Sequence, residues 1–69
     1  MRYAMYADEN RAIAEAARLA NVNQCPVALL RRDGWYRVEE DAEAYEILVD
    51  EERWESVTVC DPSGGTDVP

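Results

Sequence analysis

Carboxylates are the most abundant reactive groups in this sequence, and most of them lie in one stretch. Residues 38–55 read VEEDAEAYEILVDEERWE and contain nine acids against one arginine. A catalytic carboxylate pair needs a pocket that separates its two pKa values, and an exposed run of acids does not provide one. The chain also has no histidine and no lysine, which removes the commonest general base and the Schiff-base nucleophile. We therefore expect no enzymatic activity.

Oxygen ligands for calcium or magnesium are present in Asp50, Glu51, Glu52 and Glu55. The EF-hand pattern requires a glycine at its sharp turn, and this stretch contains none. Zinc sites are built mainly from cysteine and histidine. This chain has two cysteines and no histidine. We therefore interpret the acidic stretch as a solvated surface and expect no metal and no cofactor.

The two cysteines, Cys25 and Cys60, are too few for a disulfide scaffold. The N-terminal MRYAMYADEN lacks the apolar segment of a secretion signal, and uncharged segments such as NVNQCPVALL are far shorter than the ~20 apolar residues of a membrane span. We expect a cytoplasmic chain with reduced thiols. A reactive thiol is the alternative to a packing role for either cysteine.

Charge is distributed unevenly along the chain. Up to Val38 there are six arginines and four acids, a balance of +2; from Glu39 onward there are eleven acids and only Arg53, a balance of −10. The two halves together give the net charge of −8. Such an asymmetric distribution indicates a partner that binds in one orientation.

Arginines near the predicted hairpin are the best candidates for contacts with nucleic acid. Arg31, Arg32 and Arg37 lie close in sequence to Trp35 and Tyr36, whose rings could stack on bases. However, phosphate binding requires clustered positive charge, and a net charge of −8 repels the nucleic-acid backbone. We expect no direct binding of nucleic acid. These arginines are interpreted as partners of acids within the fold or as charges on an edge strand.

The elements that must position these residues follow from local patterns. RYAMYA predicts a short strand, Asp8 a helix N-cap, and ENRAIAEAARLA an alanine-rich helix that ends at the asparagines of NVN. Asp33 and Gly34, between the runs PVALL and WYRV, predict a two-residue hairpin turn. RWESVTVC predicts the last strand.

Residues 44–50 allow two interpretations. As part of a helix from about 41 to 49, they place Tyr45 and Leu48 on an apolar side. Carboxylates then fall on the opposite side at i, i+4, i+7 and i+11, namely Glu39, Glu43, Glu46 and Asp50. As a strand, the segment alternates, but Leu48 interrupts its polar face. We favour the helix.

The elements follow the order β-α-β-β-α-β, which predicts a compact α+β fold with a ferredoxin-like antiparallel sheet and the helices on one face. The alternative is one helix packed on an antiparallel β meander. We expect residues 1–61 to form one domain and residues 62–69 a flexible C-terminal tail. In the ferredoxin-like order the second and fourth strands lie at opposite edges, so Cys25 and Cys60 could not bridge within one chain.

With catalysis excluded, the surface is the functional feature that remains. We expect a binding module whose acidic half contacts the basic surface of a nucleic-acid-binding protein complex. The carboxylates expected to contact this partner are Glu39, Glu40, Glu43, Glu46, Asp50, Glu51, Glu52 and Glu55. The alternative is a small self-assembling structural or accessory protein, such as a homodimer, whose acidic run is only a solvated face.

The chain also resembles a known class of proteins. Its size, its strand–helix–hairpin opening and the run EEDAEAYEILVDEERWE are similar to those of small phage-encoded inhibitors of bacterial defence, the anti-CRISPR proteins above all. The resemblance is at class level and involves no specific motif. Some members of that class mimic nucleic acid and occupy the DNA- or RNA-binding channel of their target. The resemblance implies an inhibitor of a CRISPR-type complex.

Overall fold

The computed structural model describes residues 4–62. Its elements are β1 (Met5–Tyr6), α1 (Glu9–Asn23), β2 (Val27–Arg32), β3 (Trp35–Glu39), α2 (Ala42–Asp50) and β4 (Glu55–Cys60). The predicted α+β class is confirmed, and because residues 44–50 are helical the meander alternative is wrong. The start of the predicted strand RYAMYA lies outside the described residues, and so does the predicted tail apart from Pro62.

Strands β2 and β3 form the predicted hairpin. Arg32 lies opposite Trp35, so only Asp33 and Gly34 make the turn. Both turn residues have positive φ, 55° for Asp33 and 82° for Gly34, as a type I′ turn requires. Aspartate tolerates this conformation and glycine has no Cβ to oppose it, which is why this dipeptide predicts the turn from sequence alone.

The sheet is antiparallel throughout, and its strand order is β1-β3-β2-β4. The ferredoxin-like arrangement is not confirmed, because there β4 lies beside β1, whereas here it pairs with β2. Strand length within residues 4–62 accounts for the difference. In this part of the chain β1 pairs over two residues, Met5 and Tyr6, while β2 offers β4 an edge of six residues. β4 therefore forms more backbone hydrogen bonds beside β2.

This strand order brings the regions of the two cysteines together. Cys60 in β4 lies opposite Val27 in β2, and Cys25 precedes Val27 by two residues. The expectation that the two cysteines are separated at opposite edges of the sheet is therefore wrong. Both cysteines are free thiols and both are half-buried.

The two helices lie on opposite faces of the sheet, not on one face as predicted. Val27 of β2 belongs to a buried cluster with Ala16 and Ala20 of α1. Leu30 of the same strand belongs to a second cluster with Leu48 of α2. Residues three apart on a strand face in opposite directions, so each helix covers its own side of the sheet.

Chain direction accounts for this arrangement. Each helix connects two parallel strands across one intervening strand: α1 joins β1 to β2 across β3, and α2 joins β3 to β4 across β2. Both connections shift the same way along the sheet, but β1 and β3 are antiparallel. Two crossovers of the same hand must then place their helices on opposite faces.

Alanine allows α1 to pack closely on the sheet. Ala12, Ala16 and Ala20 are fully buried, one turn apart along the helix. The predicted N-cap is confirmed, since the Asp8 carboxylate accepts a hydrogen bond from the backbone of the first turn at 3.2 Å. The helix ends at Asn23, within the predicted NVN, but the left-handed capping conformation falls on Gln24 at φ 55° and not on an asparagine.

Candidate functional site

Two carboxylates start α2 by accepting hydrogen bonds from the backbone. Asp41 is the N-cap and accepts from the Glu43 amide at 3.0 Å. The Glu39 carboxylate, at the end of β3, accepts from the amides of Glu40 and Asp41 at 3.1 and 3.0 Å. These bonds satisfy donors that a helix start leaves without partners inside the helix. Glu39 therefore has a structural role in the connection from β3 to α2.

The predicted helical line of carboxylates begins later than expected. Glu39 belongs to β3 rather than to the helix. Its side chain is 15% exposed and forms a salt bridge with Arg37 at 3.2 Å. The other three members of the line lie on α2 and are exposed. The structure thus brings together Glu43, Glu46 and Asp50 but not Glu39.

One side of α2 presents these carboxylates to solvent, together with the C-cap Glu51 and one apolar residue. Glu43, Glu46, Ile47, Asp50 and Glu51 border a single shallow depression, and we call this set the acidic face of α2. At 1.5 Å per residue, neighbouring helical carboxylates are separated by about 4.5 to 6 Å along the axis. Ile47, at the centre of the set, is 48% exposed.

The remaining predicted contact residues are engaged elsewhere. Glu55 forms a salt bridge with Arg31 at 2.7 Å, and the Glu52 carboxylate is 4.0 Å from Arg32. The hydrogen bond to Glu55 raises the pKa of Arg31 above its ordinary value. These two carboxylates are therefore partly neutralised by the sheet.

Glu40 lies apart from the acidic face. It accepts a hydrogen bond from the Asn23 side chain at 2.9 Å, which links the start of α2 to the end of α1. The eight predicted contact residues therefore divide into two groups of equal size. Four lie on the acidic face of α2, and four bond to arginine or asparagine side chains elsewhere.

The acidic face has no counter-charge among the residues that the structure describes. Within residues 4–62, the salt bridges of acidic residues involve Glu15, Glu39, Glu52 and Glu55, and no arginine lies within ion-pair distance of the acidic-face carboxylates. Negative potential is therefore concentrated on this side of α2, because arginines compensate the acids in other parts of the fold.

The arginines considered for nucleic-acid contacts are engaged within the fold. The guanidinium carbons of Arg32 and Arg37 lie 4.6 and 5.4 Å from the ring centre of Trp54. Trp54 is 2% exposed and Arg37 is 9% exposed. Arg32, Trp54 and Arg37 form a cation–π cluster beside the core under α2. This geometry agrees with the interpretation of these arginines as partners within the fold.

Ile47 and Trp54 carry roles that the sequence pattern did not reveal. Ile47 follows Glu43 by four residues, so a helical projection places both residues on the same side of α2. The alternation of Ile47 with Tyr45 and Val49 instead fits the pattern of a strand. For Trp54 no local signal existed, since its cation–π contacts come from β2 and β3, which are distant from it in sequence.

Among residues 4–62, no group of three or more potential ligands is arranged to hold a metal ion. Neither described helix is both long and apolar enough to cross a bilayer. No protein family, curated protein or solved structure matches this chain. A function must therefore be argued from the surface of the molecule.

Proposed function

We propose that this chain is a non-enzymatic, cytoplasmic binding protein whose acidic face of α2 occupies a basic, nucleic-acid-binding surface on another protein. One observation carries the proposal: four exposed carboxylates lie on one side of a short helix, and no arginine of residues 4–62 lies within ion-pair distance of them. Because the chain resembles anti-CRISPR proteins at class level, we propose that its target is a CRISPR-type defence complex.

The spacing of the carboxylates supports mimicry of phosphates. Glu43, Glu46 and Asp50 follow one another at three and four residues on a capped helix, so their relative positions are fixed before binding. A preorganised set loses less entropy on binding than a flexible acidic tail would. Arginines and lysines that normally contact phosphates can form charge-assisted hydrogen bonds with carboxylates in the same way.

Ile47 supports a protein partner over simple counter-ion binding. Its half-exposed side chain lies among the carboxylates, where it can fill an apolar depression on the partner. A central apolar anchor surrounded by polar groups is typical of protein interfaces. Charge would then direct the encounter, while Ile47 contributes to the lifetime of the complex.

The test compares two triple variants with the same change in net charge. The first neutralises the acidic face with Glu43→Gln, Glu46→Gln and Asp50→Asn. The control adds three positive charges to exposed positions of α1 with Asn10→Lys, Ala14→Lys and Val22→Lys. Far-UV circular dichroism establishes that both variants fold before binding is measured.

The assay uses fluorescence anisotropy to measure the release of labelled DNA. The DNA is first bound to purified CRISPR effector complexes of several types. We expect the wild type and the α1 control to displace DNA from at least one complex, and the acidic-face variant to lose at least tenfold in potency. Direct binding of the wild type to that complex, measured without DNA, should weaken steeply with salt, because the contact depends on charge. Equal potency of the two triple variants, or no displacement from any complex, would overturn the proposal.

A further inference from the structure

β4 leaves one edge of the sheet open. It is the outermost strand beside β2, and no strand of residues 4–62 pairs with its outer side. The other edge strand, β1, has two paired residues in the described part of the chain, whereas β4 is six residues long. An open edge presents unpaired backbone donors and acceptors, which another extended segment can use.

The side chains of β4 do little to block such pairing. Leu29 lies opposite Thr58 and Leu30 opposite Ser56, so Val57 is an extra residue that forms a bulge. Residues 58–60 after the bulge continue in regular register with β2. They are uncharged and contain no proline, so these two means of protecting an edge strand are absent from residues 58–60.

An apolar pocket lies next to this edge on the α2 side of the sheet. It has a volume of about 280 Å³ and is lined by Val59, Ala28 and Tyr45, with Glu40 and Asp41 also at its wall. Val59 remains 49% exposed, because α2 covers the centre of the sheet and not this strand. The pocket therefore combines an apolar surface with carboxylates in reach of its occupant.

Acids also lie at both ends of the open edge. Glu55, which remains exposed although it forms the salt bridge with Arg31, is the first residue of β4, and the exposed Asp61 follows the last. A second copy of this chain fits poorly, because antiparallel self-pairing brings Glu55 of one copy close to Asp61 of the other. Each copy also carries a net charge of −8. Complementary charge requires a basic segment instead.

We propose that β4 is a strand-addition site for an extended segment of a partner protein, with β-branched residues in the middle of the segment and arginine or lysine at its ends. One side chain of the segment lies over Val59 in the pocket. An arginine or lysine there would pack its aliphatic stem on Val59 and Ala28 and place its charge near Glu40 and Asp41. This surface differs from the acidic face of α2, so the inference does not depend on the proposed function.

The test uses the full chain and two fluorescent peptides of equal charge. The strand peptide is Arg-Arg-Thr-Val-Thr-Val-Arg-Arg, and in the control peptide both valines are replaced by proline, which removes backbone donors and the extended pairing geometry. Binding is followed by anisotropy at physiological salt. Val59→Arg is compared with Val22→Arg, an equal charge change at an exposed position of α1.

We expect the strand peptide to bind at least tenfold more tightly than the proline peptide. Val59→Arg should reduce its affinity at least tenfold, and Val22→Arg less than threefold. In the unmodified chain, the peptide should slow amide hydrogen exchange in β4 and leave α1 unchanged. This measurement does not depend on whether a variant folds.

Three results would overturn the inference. Equal affinity for the two peptides means that charge alone holds them. Loss of binding in the acidic-face triple variant but not in Val59→Arg places the peptide on α2, which contradicts this inference and leaves the proposed function standing. A dimer in solution that Val59→Arg dissociates shows that the edge is occupied by a second copy.

Discussion

The acidic face should cost the fold stability, and this cost can be measured. α2 ends at Asp50 with Glu51 as its C-cap, and its last turn contains no basic residue. Negative charge at a helix C-terminus is unfavourable by about 0.3–1 kcal/mol per group. The like-charged i, i+4 pair Glu46 and Asp50 adds about 0.2–0.5 kcal/mol. We therefore expect Asp50→Asn with Glu51→Gln to raise the free energy of unfolding by about 1 to 2 kcal/mol.

The assay is urea and thermal unfolding, followed by circular dichroism and by tryptophan fluorescence, to which the buried Trp54 and the exposed Trp35 both contribute. For a domain of this size, the expected gain corresponds to a rise in Tm of about 7 to 14 °C. Asp41→Asn is the matched control. It neutralises a carboxylate at the other end of the same helix, where negative charge is favourable, and asparagine caps as well as aspartate. This control should lose about 0.3–1 kcal/mol.

The decisive result is that neutralising charge raises the free energy of unfolding at the C-terminal end of α2 and lowers it at the N-terminal end. If Asp41→Asn and the double variant both stabilise the chain, relief of net charge explains the gain, and the dipole argument is refuted. A double variant no more stable than the wild type refutes it as well. In 1 M salt, where the Debye length falls to about 3 Å, both differences should shrink. If the double variant is more stable but no longer binds its target, Asp50 and Glu51 are retained for function at a cost in stability.

Other perturbations have expected outcomes that follow from single contacts. Leu48→Ala removes a side chain that is 5% exposed and should cost about 2–5 kcal/mol in urea unfolding, whereas Leu48→Met should cost less than about 1.5 kcal/mol. Glu39→Ala takes the anion from the buried Arg37 and an acceptor from two amides; we expect a loss of about 2–3 kcal/mol in the same assay. The hydrogen bond from Arg18 lowers the pKa of Glu15, so its contribution to stability is present above the unfolded-state pKa and is lost as pH falls; the carboxyl titration by NMR should move up to its ordinary range in Arg18→Gln.

Several local features of this protein could be predicted from the sequence. Asp33 and Gly34 predict their hairpin turn because few residues tolerate two consecutive positive φ angles. Asp8 predicts the start of α1 because its carboxylate accepts a hydrogen bond from the next turn. Such features depend on interactions within a few residues, and a short stretch of sequence contains all the groups involved.

The sequence by itself determined the hairpin, the start of α1 and the concentration of negative charge in the second half of the chain, and it favoured a helix over a strand for residues 44–50. Only the tertiary structure decided that β4 joins β2, and with it that the helices occupy opposite faces. That choice depends on comparing the edges of two distant strands, which no local pattern encodes. It also decided which acids remain without a counter-charge: Glu55 and Glu52 meet arginines of β2, while the acidic face of α2 points away from the sheet. Pairing of charges across the fold depends on three-dimensional proximity. The set of acids that forms the candidate surface therefore depends on the arrangement of the strands.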